Sequence, residues 1–123
     1  SNTQDIQLEA GEYTLKSELT PDSEVRIWGA APANWNEKNV LINDVANQYP
    51  AQVEIKTTIK AENSRIFNTT AGKNPLTLTN LILTNGVAPN QGNGGAIYAG
   101  ANITLQSIKV LNSKATTGAG GAI

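Results

Sequence analysis

The stretch GNGGAIYAGANITL, residues 92–105, decides the fold because part of it returns later in the chain. Gly-Gly-Ala-Ile occupies positions 94–97 and again positions 120–123. Two copies of one short motif 26 positions apart are typical of a repeat architecture, provided that the neighbouring residues repeat as well.

The segment between the two motifs does repeat. When the chain is shifted so that Leu76 lies on Ile103, apolar residues superpose on apolar residues, with Thr, Gln or Lys at alternate positions. This period of two predicts strands with one buried face, and a fixed repeat length predicts a stacked, solenoid-like array. The superposed pairs are Leu76 with Ile103, Leu78 with Leu105, Leu81 with Ile108, Leu83 with Val110, and Asn85 with Asn112.

Short β-type runs occur along the whole chain, with sharp corners at residues 79–80 and 106–107. Three such runs per repeat suit a coil whose equivalent strands stack in parallel about 4.8 Å apart. An antiparallel sandwich is the alternative, but it would not need the same side chain at the same place in each turn. The runs are IQL (6–8), YTL (13–15), VRIW (25–28), VLI (40–42), VEIKTTI (53–59), IF (66–67), LTL (76–78), LIL (81–83), AIY (96–98), ITL (103–105) and IKV (108–110).

These patterns predict an all-β fold, a right-handed parallel β-helix of about three to four coils in a single continuous domain. Residues 1–62 are expected to form an N-terminal capping region with the first irregular coils, and residues 63–123 the regular coils. Trp28, Trp35 and Tyr49 are assigned to the cap. The repeat stops within a coil, so we expect a segment of a longer array that could self-associate through its open C-terminal coil.

The motif itself has a physical interpretation. Glycines 94, 95, 120 and 121 are expected to bend the chain and to let neighbouring backbones approach closely. Ala96 and Ala122 precede the isoleucines of the motif. Aligning NSRIF (63–67) with GGAIY (94–98) predicts one inward column of Ile66, Ile97 and Ile123, with Phe67 and Tyr98 as outward neighbours.

The composition excludes several classes of protein. The chain has no Cys and no His, which removes disulfides, thiolate metal sites and the usual base of a Ser-His-Asp triad. A net charge of −1 gives no indication of nucleic-acid binding. No apolar run is long enough to span a membrane, and no cofactor or metal site is predicted.

Two longer phrases carry a resemblance to a known family. SRIFNTTAGKNPLTLTNLILTNG (64–86) and the GGAI copies resemble the chlamydial polymorphic membrane proteins and related bacterial β-helix surface proteins. QLEAGEYTL (7–15) followed by VRIWGA (25–30) is similar to the first coil of such domains. The resemblance implies the secreted passenger of an autotransporter, a virulence-associated adhesin at the cell surface or outer membrane.

An enzyme is the main alternative, because many β-helices cleave polysaccharides. Glycoside hydrolysis needs two carboxylates that face one groove. No Asp or Glu follows Glu62, Glu54 is separated from it by a predicted turn, and Asp44 is isolated. We therefore predict a non-catalytic module; the alternative is a fragment of a polysaccharide lyase or glycoside hydrolase whose catalytic residues lie outside this segment.

Candidate binding residues are those expected to point outward. Phe67 and Tyr98 could stack on a sugar or anchor a protein, although the 86–93 loop or the turn at 69–74 could instead cover them. Ile82 and Leu111 are the other two candidates. A threonine array for ice binding is disfavoured, because Thr77 stacks on Thr104 but the next columns do not match. The expected partner is a host-cell surface protein or glycan.

Overall fold

The computed structural model describes residues 3–31 and 54–123. In these ranges the chain forms strands and no helix, which confirms the all-β prediction, and every strand pairing is parallel. The strands are β1 (Gln4–Gln7), β2 (Gly11–Leu15), β3 (Val25–Trp28), β4 (Thr57–Ala61), β5 (Phe67–Asn68), β6 (Leu76–Thr84), β7 (Ile97–Tyr98) and β8 (Ile103–Leu111).

Six of these strands form one curled sheet. The first half of β6 pairs with β3 and the second half with β4; β1 lies beyond β3, β2 lies beyond β4, and β8 pairs with both halves of β6. The curl occurs where Asn80 in β6 (φ 57°) and Ser107 in β8 (φ 55°) adopt the left-handed conformation. These are the corners predicted from the sequence, and the parallel, curled arrangement is consistent with a β-solenoid.

A smaller sheet, β5 with β7, continues on both sides through backbone contacts. Leu19 forms a parallel bridge with Phe67. On the other side the amides of Ala96 and Ile97 both donate to the carbonyl oxygen of Ala122, at 2.8 and 3.0 Å. The second GGAI copy therefore lies directly on the first, as the repeat predicts.

The predicted register between the two long strands, β6 and β8, is confirmed. Leu76 pairs with Ile103, Leu78 with Leu105, Leu81 with Ile108, and Leu83 with Val110. Asn85 and Asn112 both have positive φ, 63° and 55°, and the Asn85 amide donates to the Leu111 carbonyl oxygen at 3.1 Å. Both residues thus end their strands with the same bend.

The core consists of columns of apolar side chains that stack from strand to strand. Leu78, Leu81 and Leu83 in β6 have no exposed surface, because a paired strand covers them on either side. Burying a side chain of this size contributes about 1.5–3 kcal/mol. Two of the columns are Ile27–Leu78–Leu105 and Ile59–Leu83–Val110. The first continues to Ile6, which is 40% exposed, and the second to Tyr13.

The glycine pair has two separate roles. Gly94 and Gly120 have φ of +68°, a conformation that side chains with a Cβ rarely adopt. Gly95 instead supplies close approach, because a Cβ there would collide with the carbonyl oxygen of Gly121. The first glycine of each copy makes the bend, and Gly95 allows one copy to lie on the other.

The predicted column of Ile66, Ile97 and Ile123 is wrong by one position at its first member. Phe67, not Ile66, pairs with Ile97, and Asn68 pairs with Tyr98. The amides of Ile66 and Phe67 both donate to the Ala96 carbonyl oxygen, so two residues oppose one, as in a β-bulge. The bulge breaks the strict alternation, which buries Ile66 and Phe67 together, as Ala96 and Ile97 are buried together.

Some sequence predictions fall outside the described residues. They are the run at 40–42, the start of the run at 53–59, and the residues Trp35, Asp44 and Tyr49. The strands β1 to β4, from the segment predicted as a cap and irregular coils, belong to the same sheet as β6 and β8.

Candidate binding site

The outer surface of β3 carries an aromatic side chain on a polar strip. Val25 and Ile27 point inward and are 8% and 5% exposed, so Arg26 and Trp28 point outward by strand alternation. Parallel pairing extends each outward position across four strands. We call these sets the Trp28 column (Gln7, Trp28, Thr79 and Gln106) and the Arg26 column (Asp5, Arg26, Thr77 and Thr104).

A groove of about 260 Å³ lies along the Trp28 column. Among residues 3–31 and 54–123 its lining is uncharged: Gln7, Trp28, Gly29, Ala31, Thr79, Asn80 and Gln106. An aromatic ring with a few polar groups around it is the common composition of small-ligand sites. The groove therefore combines an apolar surface with hydrogen-bonding groups of both kinds.

Two amide side chains at the groove are held differently. The Gln7 amide nitrogen donates to the Gly29 carbonyl oxygen at 3.1 Å. Asn80 is 5% exposed, and its Oδ1 is buried without a hydrogen-bond partner among the described residues. A buried acceptor without a donor costs free energy. Because Asn80 Oδ1 is itself buried, it is not a contact point for a ligand in the groove.

The neighbouring charges neutralise one another. Arg26 donates to Asp5 through Nε at 2.7 Å and Nη2 at 3.1 Å, and its Cζ lies 6.0 Å from the centroid of the Trp28 ring. The hydrogen bond and the charge of Asp5 raise the pKa of Arg26 above its usual value. The charge of Arg26 is therefore matched by Asp5 next to the groove.

Tyr98 lies at a second surface, over a buried cation. Arg65 is 5% exposed, and its Cζ lies 4.5 Å from the centroid of the Tyr98 ring, within cation–π range. The Arg65 Nε donates to the carbonyl oxygens of Asn93 and Gly94 at 2.9 and 3.1 Å, and Nη1 lies 3.5 Å from Glu18. Tyr98 thus remains partly exposed, while its inner side packs on Arg65.

The structure separates the four predicted binding residues. Phe67 is 1% exposed in the core, so its predicted outward orientation is wrong, because the bulge turns it inward. Ile82 and Leu111 are on the outer side of the six-stranded sheet, and Leu111 is 45% exposed. Ile82 is next to Thr58 and Lys109, whereas Leu111 is next to Thr84, so they lie in different columns.

The carboxylates considered for catalysis form no site in the described part of the chain. Glu54 and Glu62 are exposed and flank β4 on its two ends. Within residues 3–31 and 54–123 no group of three or more acidic side chains comes together in a way that could hold a metal ion.

Sequence reasoning misses the Trp28 column. The partners of Trp28 are Gln7 on one side and Thr79 on the other. Neither separation along the chain equals the one that relates Leu76 to Ile103, so the repeat does not reveal these pairings. A weak signal exists in the alternation of VRIW, which already places Trp28 on the face opposite Val25 and Ile27.

Comparison with known protein families, curated proteins and solved structures finds no match to this chain. In the described ranges no helix has the length and apolar character needed to cross a bilayer.

Proposed function

We propose that this chain is a non-catalytic binding module of a bacterial surface or secreted protein, built as a right-handed parallel β-helix of three to four coils. The observation that carries the proposal is Trp28, held on the outer face of β3 in a groove of about 260 Å³. A partly exposed tryptophan on a rigid sheet, surrounded by polar side chains, is typical of a recognition surface.

The rigidity of the scaffold supports the proposal. The Trp28 column rests on four parallel strands whose inward side chains are core residues such as Ile27 and Leu78. Sites on regular strands keep their geometry better than sites on loops. Little conformational entropy is therefore lost when a partner binds. A binding function needs this preorganisation and needs no reactive group.

The family resemblance adds the biological setting. The GGAI copies and the phrase at 64–86 resemble chlamydial polymorphic membrane proteins, from which we propose an autotransporter passenger that acts as an adhesin. Its partner would be a host-cell protein or glycan, and its location the outer membrane surface or the medium. Tyr98, Ile82 and Leu111 are secondary candidate contacts.

Self-association is a further part of the proposal. Among the described strands, β8 pairs only with β6, and Leu111 at the end of β8 is 45% exposed. An unpaired strand edge can accept another chain. Light scattering at increasing protein concentration tests this idea, and a constant monomer mass would contradict it.

Cell retention tests the adhesin proposal. We expect immobilised chain to retain cultured epithelial cells, and soluble chain to compete in a dose-dependent way. An unrelated solenoid of the same net charge serves as control, because non-specific attraction depends on charge alone. Equal retention on the control would contradict the proposal. Variants with Trp28→Ala, or with Ile82→Thr and Leu111→Thr together, then identify the surface that carries the binding.

A further inference from the structure

We propose that the Trp28 groove is a subsite for a neutral oligosaccharide. The inference rests on the proposed binding function and adds the chemical class of the ligand. It follows from three features of the groove: an aromatic surface, amide and hydroxyl groups along its length, and no unmatched charge among the lining residues that the structure describes.

The aromatic surface matches the C–H faces of a sugar ring. Trp28 points outward and is only partly buried. The face of an indole carries the negative part of the ring quadrupole, which attracts weakly positive C–H groups. A pyranose presents such groups on its flat sides and its hydroxyls around the edge, so the ring stacks while the hydroxyls reach sideways to polar neighbours.

The polar neighbours are amides and a hydroxyl rather than ions. Gln7, Thr79 and Gln106 continue the column on either side of Trp28, over three strand spacings or about 14 Å. That length suits a short oligosaccharide better than a monosaccharide. Amides both donate and accept hydrogen bonds, as sugar hydroxyls do, so the two sets of groups satisfy each other.

The charges around the groove also favour a neutral ligand. The lining residues that the structure describes carry no charge, and Arg26, the cation beside Trp28, is already paired with Asp5. An acidic polysaccharide would lose hydration of its carboxylates on entering the groove and would gain no free cation in return. Neutral chains avoid this cost, so we expect them to bind more tightly than uronates.

Tryptophan fluorescence tests the inference directly. In a Trp35→Phe background, Trp28 is the only tryptophan of the chain. The probes are the neutral hexaoses of glucose, mannose, xylose and N-acetylglucosamine, together with lacto-N-neotetraose, and tetragalacturonate as the acidic comparison. We expect at least one neutral probe to shift the Trp28 emission saturably, and tetragalacturonate to bind at least tenfold more weakly.

Two variants locate the binding, measured by titration calorimetry. Trp28→Phe should lower the affinity for the best neutral probe at least fivefold, and Gln106→Ala should lower it at least threefold. The control is Gln91→Ala, the same change at an exposed loop residue outside the groove, which should leave the affinity unchanged. Gln106 is exposed, so its variant tests the site even if Trp28→Phe folds poorly; circular dichroism melting checks folding in each case.

Several results would overturn the inference. The first is that no neutral probe gives a saturable response. The second is that the folded Gln106→Ala variant binds the best neutral probe as tightly as the unsubstituted chain does. The third is that tetragalacturonate binds more tightly than every neutral probe. The cell-retention assay separates this failure from failure of the proposed function. If wild-type chain retains cells and no neutral saccharide binds, the saccharide subsite is wrong and the adhesin proposal stands. If a neutral saccharide binds and cells are not retained, the adhesin proposal is wrong and the saccharide subsite stands.

Discussion

Gly95 lies so close to the carbonyl oxygen of Gly121 that no Cβ fits between them. The contact joins the two copies of the GGAI motif, and the amide of Gly95 also donates to the carbonyl oxygen of Gly120 at 3.0 Å. The repetition of the motif thus has a steric cause: two backbones meet where a side chain would hold them apart.

The first prediction compares alanine substitutions at Gly95 and Gly121. In Gly95→Ala, the new Cβ would also lie 2.6 Å from the Lys114 carbonyl oxygen, so we expect a loss of about 1–3 kcal/mol in the free energy of unfolding. Gly121→Ala is the matched control, because its Cβ would meet nothing closer than 3.6 Å. Urea denaturation measures both variants. Equal destabilisation by the two variants would contradict the assignment of glycine at position 95 to the close contact.

The second prediction concerns the inward position of Ile97, which has no exposed surface. Ile97→Ala should reduce the free energy of unfolding by about 2–5 kcal/mol, because it removes apolar contacts and leaves a cavity. Ile97→Asp should prevent folding, since an isolated charge would be buried. Ile82→Ala, at a partly exposed position on the outer side of β6, should cost clearly less. If thermal or urea unfolding shows a larger loss of stability for Ile82→Ala than for Ile97→Ala, the assignment of the two faces is wrong.

The sequence predicts the fold correctly where the apolar alternation within each strand agrees with the repeat that pairs the strands. Residues 76–84 and 103–111 alternate regularly on either side of their corners, so superposing Leu76 on Ile103 predicts the register of β6 and β8. The bulge at Ile66 and Phe67 could not be inferred, because two successive apolar residues fit either orientation and only the shared Ala96 acceptor distinguishes them. Trp28 escapes detection for another reason. Its partner Thr79 lies far along the chain, and a sequence comparison at one fixed period cannot bridge that distance.

The third prediction is the absence of turnover. We expect no cleavage of pectin, alginate or glycosaminoglycan by this chain, because acid–base catalysis on a glycosidic bond needs two carboxylates that face one groove. In the described part of the chain, the residues that line the groove beside Trp28 are uncharged. The measurement is the release of reducing ends or unsaturated products over long incubation. A product that disappears in Asp44→Asn, Glu54→Gln or Glu62→Gln would instead support the carbohydrate-active alternative.

The last prediction concerns Arg65, which connects three parts of the chain. Its guanidinium group donates to the carbonyl oxygens of Asn93 and Gly94, lies 3.5 Å from Glu18, and packs under the Tyr98 ring. Because Arg65 is 5% exposed, water cannot readily replace these contacts.

Arg65→Met keeps much of the side-chain volume but removes the charge and the donors, so we expect a loss of about 2–4 kcal/mol in the free energy of unfolding. Arg26→Met is the matched control: Arg26 also has a carboxylate partner, but their side chains are 44% and 50% exposed, so its unfolding midpoint should hardly change. Urea denaturation at low and high salt measures both. If the two substitutions shift the midpoint equally, burial does not strengthen the Arg65 contacts.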